Sequence, residues 1–244
     1  MQVKVVGCST SWTDRPTSSF CIDNTILVDC GEGTTKYYKK NNIVLTDIRH
    51  IFITHFHSDH FSGLSQFIAQ ELTYATEESK KRLTIYGPKG LLKYLNILKN
   101  YFALTGSLAK EYNLTDYINV VEITDYNLKI KVNDLIVTPF KVNHIKGSQC
   151  LAFVFEKDNI KLGFSGDTTF DKYLLKFVEN TNNCFLECCS FTTSKSHLGL
   201  DKYNEIKNLF PNNNFYAIHC IDKIYKNAKK LNIQIAKDGK MYEF

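Results

Sequence analysis

The stretch Ile51-Phe52-Ile53-Thr54-His55-Phe56-His57-Ser58-Asp59-His60 decides the fold. Its first four residues are β-branched or aromatic, which predicts a buried strand, and three histidines and an aspartate follow in the loop at the carboxyl end of that strand. By chance, these four polar residues at these offsets would occur in roughly one of several thousand chains of this length. A buried histidine with its hydrogen bonds satisfied would explain one of these residues but not all four.

Imidazole and carboxylate groups at this spacing favour a metal site. Both are ligands for a borderline divalent cation, and a tight turn can direct residues two apart at one ion and the next pair at a second ion. Further candidate ligands or proton carriers lie at or just past predicted strand ends, where an active site would be assembled, namely His144, Asp167, Glu187 and His219, with His197 close by.

Asp29 also ends a predicted strand and is a candidate hydrogen-bond partner for a ligating imidazole. A turn residue before Gly31 is the alternative interpretation of Asp29. His50 is the one histidine outside the set, and we expect it to be structural or exposed.

Strand and helix signals are mixed in both halves of the chain. Strands are predicted at 3–6, 20–22, 26–29, 51–54, 120–123, 128–132, 135–142, 151–155, 160–164, 184–186, 215–219 and 233–236. The spacing of apolar residues predicts one helix after Asp59, a second that starts at Pro88, and further helices at 171–178, 200–210 and 223–231. This order favours helices outside two apposed sheets, a layered α/β sandwich, over a doubly wound parallel sheet. Without a linker or repeat, residues 1–244 are expected to form a single domain.

Composition excludes several classes of protein. The chain has 43% hydrophobic and 23% charged residues, which indicates a packed core and excludes disorder. The net charge is +5 and nearly all of the basic residues are lysines, which disfavours base reading by arginine as a main activity. No apolar run approaches the roughly 18–20 residues of a membrane span.

Cysteine usage predicts a reduced, cytoplasmic protein. The eight cysteines are too dilute for a disulfide scaffold, no Cys-x-x-Cys pair occurs, and no export signal precedes Val3. Cys184, Cys188 and Cys189 are expected to be buried small hydrophobes rather than a zinc knuckle.

The segment His55-x-His57-x-Asp59-His60 resembles the signature of the metallo-β-lactamase superfamily, whose fold is a four-layer αββα sandwich. His144, Asp167 and His219 follow in the order of its remaining ligand motifs. The resemblance implies two metal ions and three roles: a first metal held by His55, His57 and His144, a second held by Asp59, His60 and His219, and a bridge at Asp167.

The ribonuclease Z-like branch of the superfamily gives the best match. Residues 29–34 read Asp-Cys-Gly-Glu-Gly-Thr and residues 165–168 read Ser-Gly-Asp-Thr, as in that branch. Glu187 resembles the acidic residue of its His-Glu-Ala-Thr motif, and His197 resembles the histidine of its Gly-His-Ser motif, although the flanking residues differ. The long arm with which ribonuclease Z grips tRNA is missing, because only 22 residues separate His144 from Asp167 and they are predicted to form two plain strands. This departure disfavours tRNA processing.

A dinuclear hydrolase is the expected function. A hydroxide shared by two cations would attack a phosphodiester in a small nucleotide or in a short nucleic-acid-like substrate. His197 would donate a proton to the leaving group, Glu187 would orient His197, and Asp59 would accept a hydrogen bond from the nucleophile. The expected metal is Zn²⁺, with Mn²⁺ or Fe²⁺ as alternatives. An acyl hydrolase acting on a lactone, thioester or ester stays open, as do one-iron redox chemistry, a metal-stabilised binding protein and a homodimer.

Overall fold

The computed structural model describes residues 1–74, 76–102 and 113–244, with the side chain of residue 102 excepted. The described strands are β1 (Gln2–Gly7), β2 (Ser19–Ile22), β3 (Ile26–Val28), β4 (His50–Phe52), β5 (Thr84–Pro88), β6 (Asn119–Ile123), β7 (Ile130–Val132), β8 (Leu135–Val142), β9 (Cys150–Lys157), β10 (Ile160–Phe164), β11 (Asn183–Glu187), β12 (Asn214–Ile218) and β13 (Met241–Glu243). The described α-helices are α1 (Thr35–Tyr38), α2 (Ser58–Phe61), α3 (Leu64–Tyr74), α4 (Leu91–Phe102), α5 (Lys172–Glu179), α6 (Leu200–Leu209) and α7 (Asp222–Asn227).

The described strands form two mixed sheets. The first has the order β13-β1-β2-β3-β4-β5-β6 and is antiparallel up to β3 and parallel from β3 to β6. The second has the order β12-β11-β10-β9-β8-β7, with β10 to β12 parallel and β7 to β10 antiparallel. Because two successive antiparallel pairings relate β8 to β10, the strands β8, β10, β11 and β12 all point the same way.

Aromatic side chains fill the space between the two sheets. The ring of Phe52 in β4 lies 5.3 Å from that of Phe153 and 5.2 Å from that of Phe155, both in β9. Along β9, Phe153 and Phe155 face this central core while Ala152 and Val154 face the helices on the other side. The strand is therefore buried on both faces, which explains its continuous apolar sequence.

Helices cover both outer faces. Leu64 and Phe67 of α3 and Leu91 of α4 pack on the first sheet. Leu174 of α5 and Tyr203 of α6 pack on the second. The molecule is thus an αββα sandwich, which confirms the predicted fold class.

Several predicted boundaries need correction. Pro88 ends β5 instead of starting a helix, and the helix begins at Leu91 after a turn at Gly90 with φ +94°. The strand β5 itself was not predicted, although its β-branched and aromatic residues carry the signal. The predicted strand at 233–236 is wrong: it forms only an isolated bridge from Ala217 to Ile235, and the last strand is β13, which pairs with β1.

None of the described helices is long and apolar enough to cross a bilayer.

Candidate metal centre

The candidate ligands meet at the carboxyl ends of the strands of both sheets. The loop that carries residues 55–60 follows β4, while His144 follows β8, Asp167 follows β10 and His219 follows β12. Since these strands end at one edge of the sandwich, side chains distant in sequence come together there.

One cluster contains His55, His57, His144 and Asp167, and one potential ligand atom of each lies within 4.8 Å of all the others. Nε2 of His144 lies 3.1 Å from Nδ1 of His57 and 3.7 Å from Oδ2 of Asp167. Nε2 of His55 lies 3.8 Å from the same oxygen. Ligand atoms about 2.0–2.2 Å from a tetrahedral ion are about 3.4 Å apart, so these separations suit one cation.

A second cluster contains Asp59, His60 and His219. Nε2 of His219 lies 3.2 Å from Oδ2 of Asp59 and 3.5 Å from Oδ2 of Asp167. Nε2 of His60 lies 3.1 Å from Oδ1 of Asp167. The Asp167 carboxylate therefore lies between the two clusters. All of these side chains are buried, whereas His57 of the first cluster is exposed.

Unsatisfied buried atoms show that the clusters fit a cation. Nε2 of His55, Nε2 of His60 and Oδ1 of Asp167 are buried and lack a hydrogen-bond partner in correct geometry. Native proteins rarely leave such atoms without a partner, and nitrogen and carboxylate oxygen are ligands for a divalent ion. The site thus suits divalent metal binding.

The protonation of the two clusters differs. Burial holds the pKa of His55 well below its ordinary value, which favours the neutral imidazole that can donate a lone pair. Burial also opposes a charge on His60, but the carboxylates of Asp167 and Asp29 outweigh it and raise the pKa of His60 to about 10. Despite its burial, the pKa of Asp167 lies well below the usual range because His219 and His60 stabilise its carboxylate.

The outward-facing nitrogens of His60 and His144 form hydrogen bonds with the surrounding protein. Asp29 Oδ2 accepts a hydrogen bond from Nδ1 of His60 at 2.7 Å, which confirms the predicted partnership. Asp29 also accepts hydrogen bonds from the backbone N–H and the hydroxyl of Thr54, and its backbone is left-handed with φ +57°. Nδ1 of His144 donates to the carbonyl of Ser196 at 2.6 Å. Such contacts fix the orientation of each ring.

Two glycines of the recognised motifs allow backbone segments to approach closely. A Cβ at Gly31 would lie 2.0 Å from the carbonyl oxygen of Asp59, and a Cβ at Gly166 would lie 2.8 Å from the Cβ of the Thr54 side chain. Gly166 also has φ +58°, a conformation that favours glycine. The approach of Gly166 to Thr54 holds a loop of the second sheet against the first sheet, and that of Gly31 to Asp59 holds two loops of the first sheet together.

Glu187 and His197 form a hydrogen-bonded pair beside the second cluster. Glu187 is fully buried at the end of β11, and its Oε2 accepts from the backbone N–H groups of Thr168 at 2.7 Å and Leu198 at 3.1 Å. Its Oε1 lies 2.6 Å from Nδ1 of His197. Burial would lower the pKa of His197, yet the contact with Glu187 raises it above the ordinary value. Because Nδ1 is engaged, Nε2 is the nitrogen of His197 that can serve a substrate.

A cavity of about 610 Å³ opens onto the clusters. His57, Asp59, Asp167, His197 and His219 line it, and residues 10–13 form part of its wall. No sequence motif predicted that residues 10–13 lie there. Cys189 also lines the cavity and is half-buried, so its prediction as a buried hydrophobe was wrong; Cys184 and Cys188 are buried as predicted.

The αββα sandwich with histidines and carboxylates at its strand ends is the architecture of the metallo-β-lactamase fold. More narrowly, residues 6–242 match the family model described as "Anti-Pycsar protein Apyc1", and the chain belongs to that family.

Solved structures share the fold over the whole chain. The metallo-β-lactamase fold protein YhfI from Bacillus subtilis superposes with a TM-score of 0.78 at 18% identity and covers 100% of this chain and 98% of its own. The short form of human tRNase Z superposes with a TM-score of 0.74 at 18% identity, and the match covers 100% of this chain and 99% of the human one.

Curated relatives match in part. Ribonuclease Z of Prochlorococcus marinus (strain MIT 9215) is 39% identical over 108 residues, which cover 44% of this chain and 34% of the relative. Ribonuclease Z of Picrophilus torridus is 30% identical over 163 residues, which cover 60% and 49%. The chain thus matches between a third and a half of the length of these relatives.

Proposed function

We propose that the protein is a dinuclear-metal-dependent hydrolase that cleaves a phosphodiester of a nucleotide or of a short nucleic acid. The single observation that carries the proposal is the position of Asp167, whose carboxylate lies within 3.8 Å of imidazoles from both clusters, namely His55 and His144 of the first and His60 and His219 of the second. A site for one ion would not need Asp59, His60 and His219 beside a complete first set.

In this proposal, His55, His57 and His144 would hold one ion, Asp59, His60 and His219 would hold the other, and both ions would share Asp167. The donor set suits Zn²⁺, with Mn²⁺ or Fe²⁺ as alternatives. When bound, two such ions would act as Lewis acids: they would lower the pKa of a water molecule from ~15.7 towards ~7 and would neutralise charge on the phosphoryl oxygens.

The remaining steps belong to side chains of this chain. Asp59 accepts a hydrogen bond from the attacking water and so orients it. His197 holds a proton on Nε2 and donates it to the leaving alkoxide, while Glu187 keeps the Nδ1 proton in place and stabilises the cationic ring. The raised pKa of His197 keeps more of it protonated near neutral pH, as a general acid requires.

The substrate in this proposal is smaller than tRNA. Between His144 and Asp167 the chain forms only a loop and the antiparallel hairpin of β9 and β10, without an inserted arm. The cavity of about 610 Å³ is of the size that small ligands occupy.

We also propose that residues 1–244 act as a single domain, since both sheets contribute to the site. The eight cysteines are free, which favours a reducing compartment such as the cytoplasm. A homodimer stays a prediction.

Hydrolysis of bis(p-nitrophenyl) phosphate with Zn²⁺ or Mn²⁺ tests the proposal. Asp167→Ala should reduce kcat by at least about 100-fold, because one residue serves both ions. Asp134→Ala is the matched control, since Asp134 is exposed and pairs with Lys157 away from the cavity. Brisk hydrolysis of acyl esters without phosphodiester cleavage would show that the acyl alternative is right. A panel of cyclic nucleotides, short RNAs and tRNA precursors then narrows the substrate.

A further inference from the structure

Trp12 stands at the cavity rim in an unusual conformation. It is fully exposed, with a relative accessibility of 103%, and its φ of +66° is a left-handed value that bulky residues seldom adopt. Isolated exposed hydrophobic residues are normal on protein surfaces. A strained backbone that holds a large aromatic ring at the mouth of the candidate site is not, and such strain persists only where the surroundings impose it.

The loop of residues 10–13 is held firmly at its base. The hydroxyls of Ser9 and Thr13 are 2.6 Å apart, and the backbone N–H of Ser9 donates to the carbonyl of Pro16 at 3.1 Å. These contacts close the loop on either side of Trp12 and hold its backbone in a defined position at the cavity rim.

Arg15 connects the same loop to the part of the site that the second sheet contributes. Its Nη2 donates to the carbonyl of Cys220 at 2.8 Å, directly after His219, and its guanidinium lies 3.7 Å from the centre of the Tyr225 ring. Ion pairs with Asp222 at 3.6 Å and Asp238 at 3.5 Å complete the anchor. The position of Trp12 is thereby tied to that of a candidate metal ligand.

Trp12 also lies on the border between two cavities. One is the cavity that contains Asp59, Asp167 and His197, and the other, of about 470 Å³, is lined by Glu32, Lys36 and Tyr37 among others. A planar group attached to a phosphodiester at the metal centre can therefore reach the indole ring from the cavity side.

We propose that Trp12 is a specificity-determining residue that stacks on the nucleobase of the substrate. This inference rests on the proposed function and narrows its substrate class to phosphodiesters that carry a heteroaromatic base. Stacking on an aromatic ring suits any base, because each has a π face, and it needs no hydrogen-bond code. The loop supplies binding to the base, while the buried clusters act on the phosphate.

Intrinsic fluorescence gives a direct test, because Trp12 is the only tryptophan in the chain. The Zn²⁺-loaded protein is titrated with adenosine 5′-monophosphate and with ribose 5-phosphate, which has the same phosphate and no base. We expect saturable quenching by the nucleotide and little change with the sugar phosphate. Equal responses to the two ligands, or no response to either, would overturn the proposal.

Kinetics of matched variants provide a second readout. Trp12→Ala should raise KM for a nucleoside phosphodiester by about tenfold and leave kcat nearly unchanged, since one base stack is lost. Trp12→Phe should restore most of the affinity. KM for an abasic analogue, with hydrogen in place of the base, should not change in either variant. A loss that is equal for both substrates would assign Trp12 a structural role and refute stacking.

The two proposals can fail separately. If no phosphodiester is hydrolysed, yet adenosine 5′-monophosphate quenches Trp12 and ribose 5-phosphate does not, base stacking on Trp12 is supported and the proposed reaction is wrong. If phosphodiesters are cleaved and Trp12→Ala changes KM equally for nucleoside and abasic substrates, the proposed reaction is supported and base stacking on Trp12 is wrong.

Discussion

At the scale of single residues, three imidazoles of the site divide their two nitrogens between the cluster and the protein, namely those of His55, His60 and His144. His60 directs Nε2 at Asp167 and donates Nδ1 to Asp29, and His144 likewise donates Nδ1 to Ser196. This division fixes the tautomer and turns each lone pair towards a common centre. Asp29 is recognisable in the sequence as a polar residue at a strand end, whereas the carbonyl of Ser196 is a backbone atom that no residue type reveals.

Asp29→Asn should weaken metal binding about 10- to 100-fold, because the amide cannot match a carboxylate as acceptor for His60. Asparagine tolerates the left-handed backbone at this position, so the fold should survive. Titration against a competing chelator measures the effect.

Asp23→Asn is a matched control, since Asp23 also has a left-handed backbone and accepts a backbone hydrogen bond, from Gln2, far from the site. Equal metal affinities for the two variants and the wild type would contradict the role assigned to Asp29.

At the scale of elements, strand ends and helix starts position the site. Asp171 caps α5, and its Oδ1 accepts from the backbone N–H groups of Tyr173 at 2.8 Å and Leu174 at 3.0 Å. This cap lies four residues after Asp167 and fixes where the chain leaves the site. The sequence predicted this helix almost to the residue, because the cap and the apolar spacing agree. It misplaced the helix after Pro88, because proline suits both a strand end and a first helical turn.

Asp171→Ala should lower the free energy of unfolding by about 1 kcal/mol, as loss of an N-cap does. Asp171→Asn should lose much less, since asparagine caps as well as aspartate. Denaturant unfolding of both variants measures the difference, and equal destabilisation would mean that the charge matters more than the cap.

At the scale of the whole molecule, the candidate centre joins the two sheets. The first sheet contributes residues 55–60 from the loop after β4, and the second contributes His144, Asp167 and His219. A metal ion bound here would connect the two layers and would bind the folded state alone. Metal binding should therefore stabilise the fold.

Removal of metal with a chelator should lower Tm, and Zn²⁺ at about 100 times its Kd should restore about 2.7 kcal/mol of stability. In the metal-free protein, protonated His60 contributes stability that is fully present below pH 6.5 and is lost as the pH rises towards about 10. Coordination requires the neutral ring, so the gain in Tm on adding Zn²⁺ should grow with pH in this range.

Differential scanning calorimetry at several pH values measures these shifts. Asp134→Ala should behave as the wild type does, while Asp167→Ala should lose most of the response. A Tm that Zn²⁺ leaves unchanged at every pH would contradict a metal centre between the sheets.

The sequence by itself determined the layered α/β architecture and the set of candidate ligands. Residues 51–60 carry a strand and four polar groups within ten positions, and the distant candidates each follow an apolar run that can only be a buried strand. Tertiary structure decided what local spacing cannot encode. It placed Trp12 at the cavity rim and Cys189 on the cavity wall, and it set Asp167 between two groups of imidazoles, because these arrangements depend on how two sheets stack and not on which residues are neighbours in the chain.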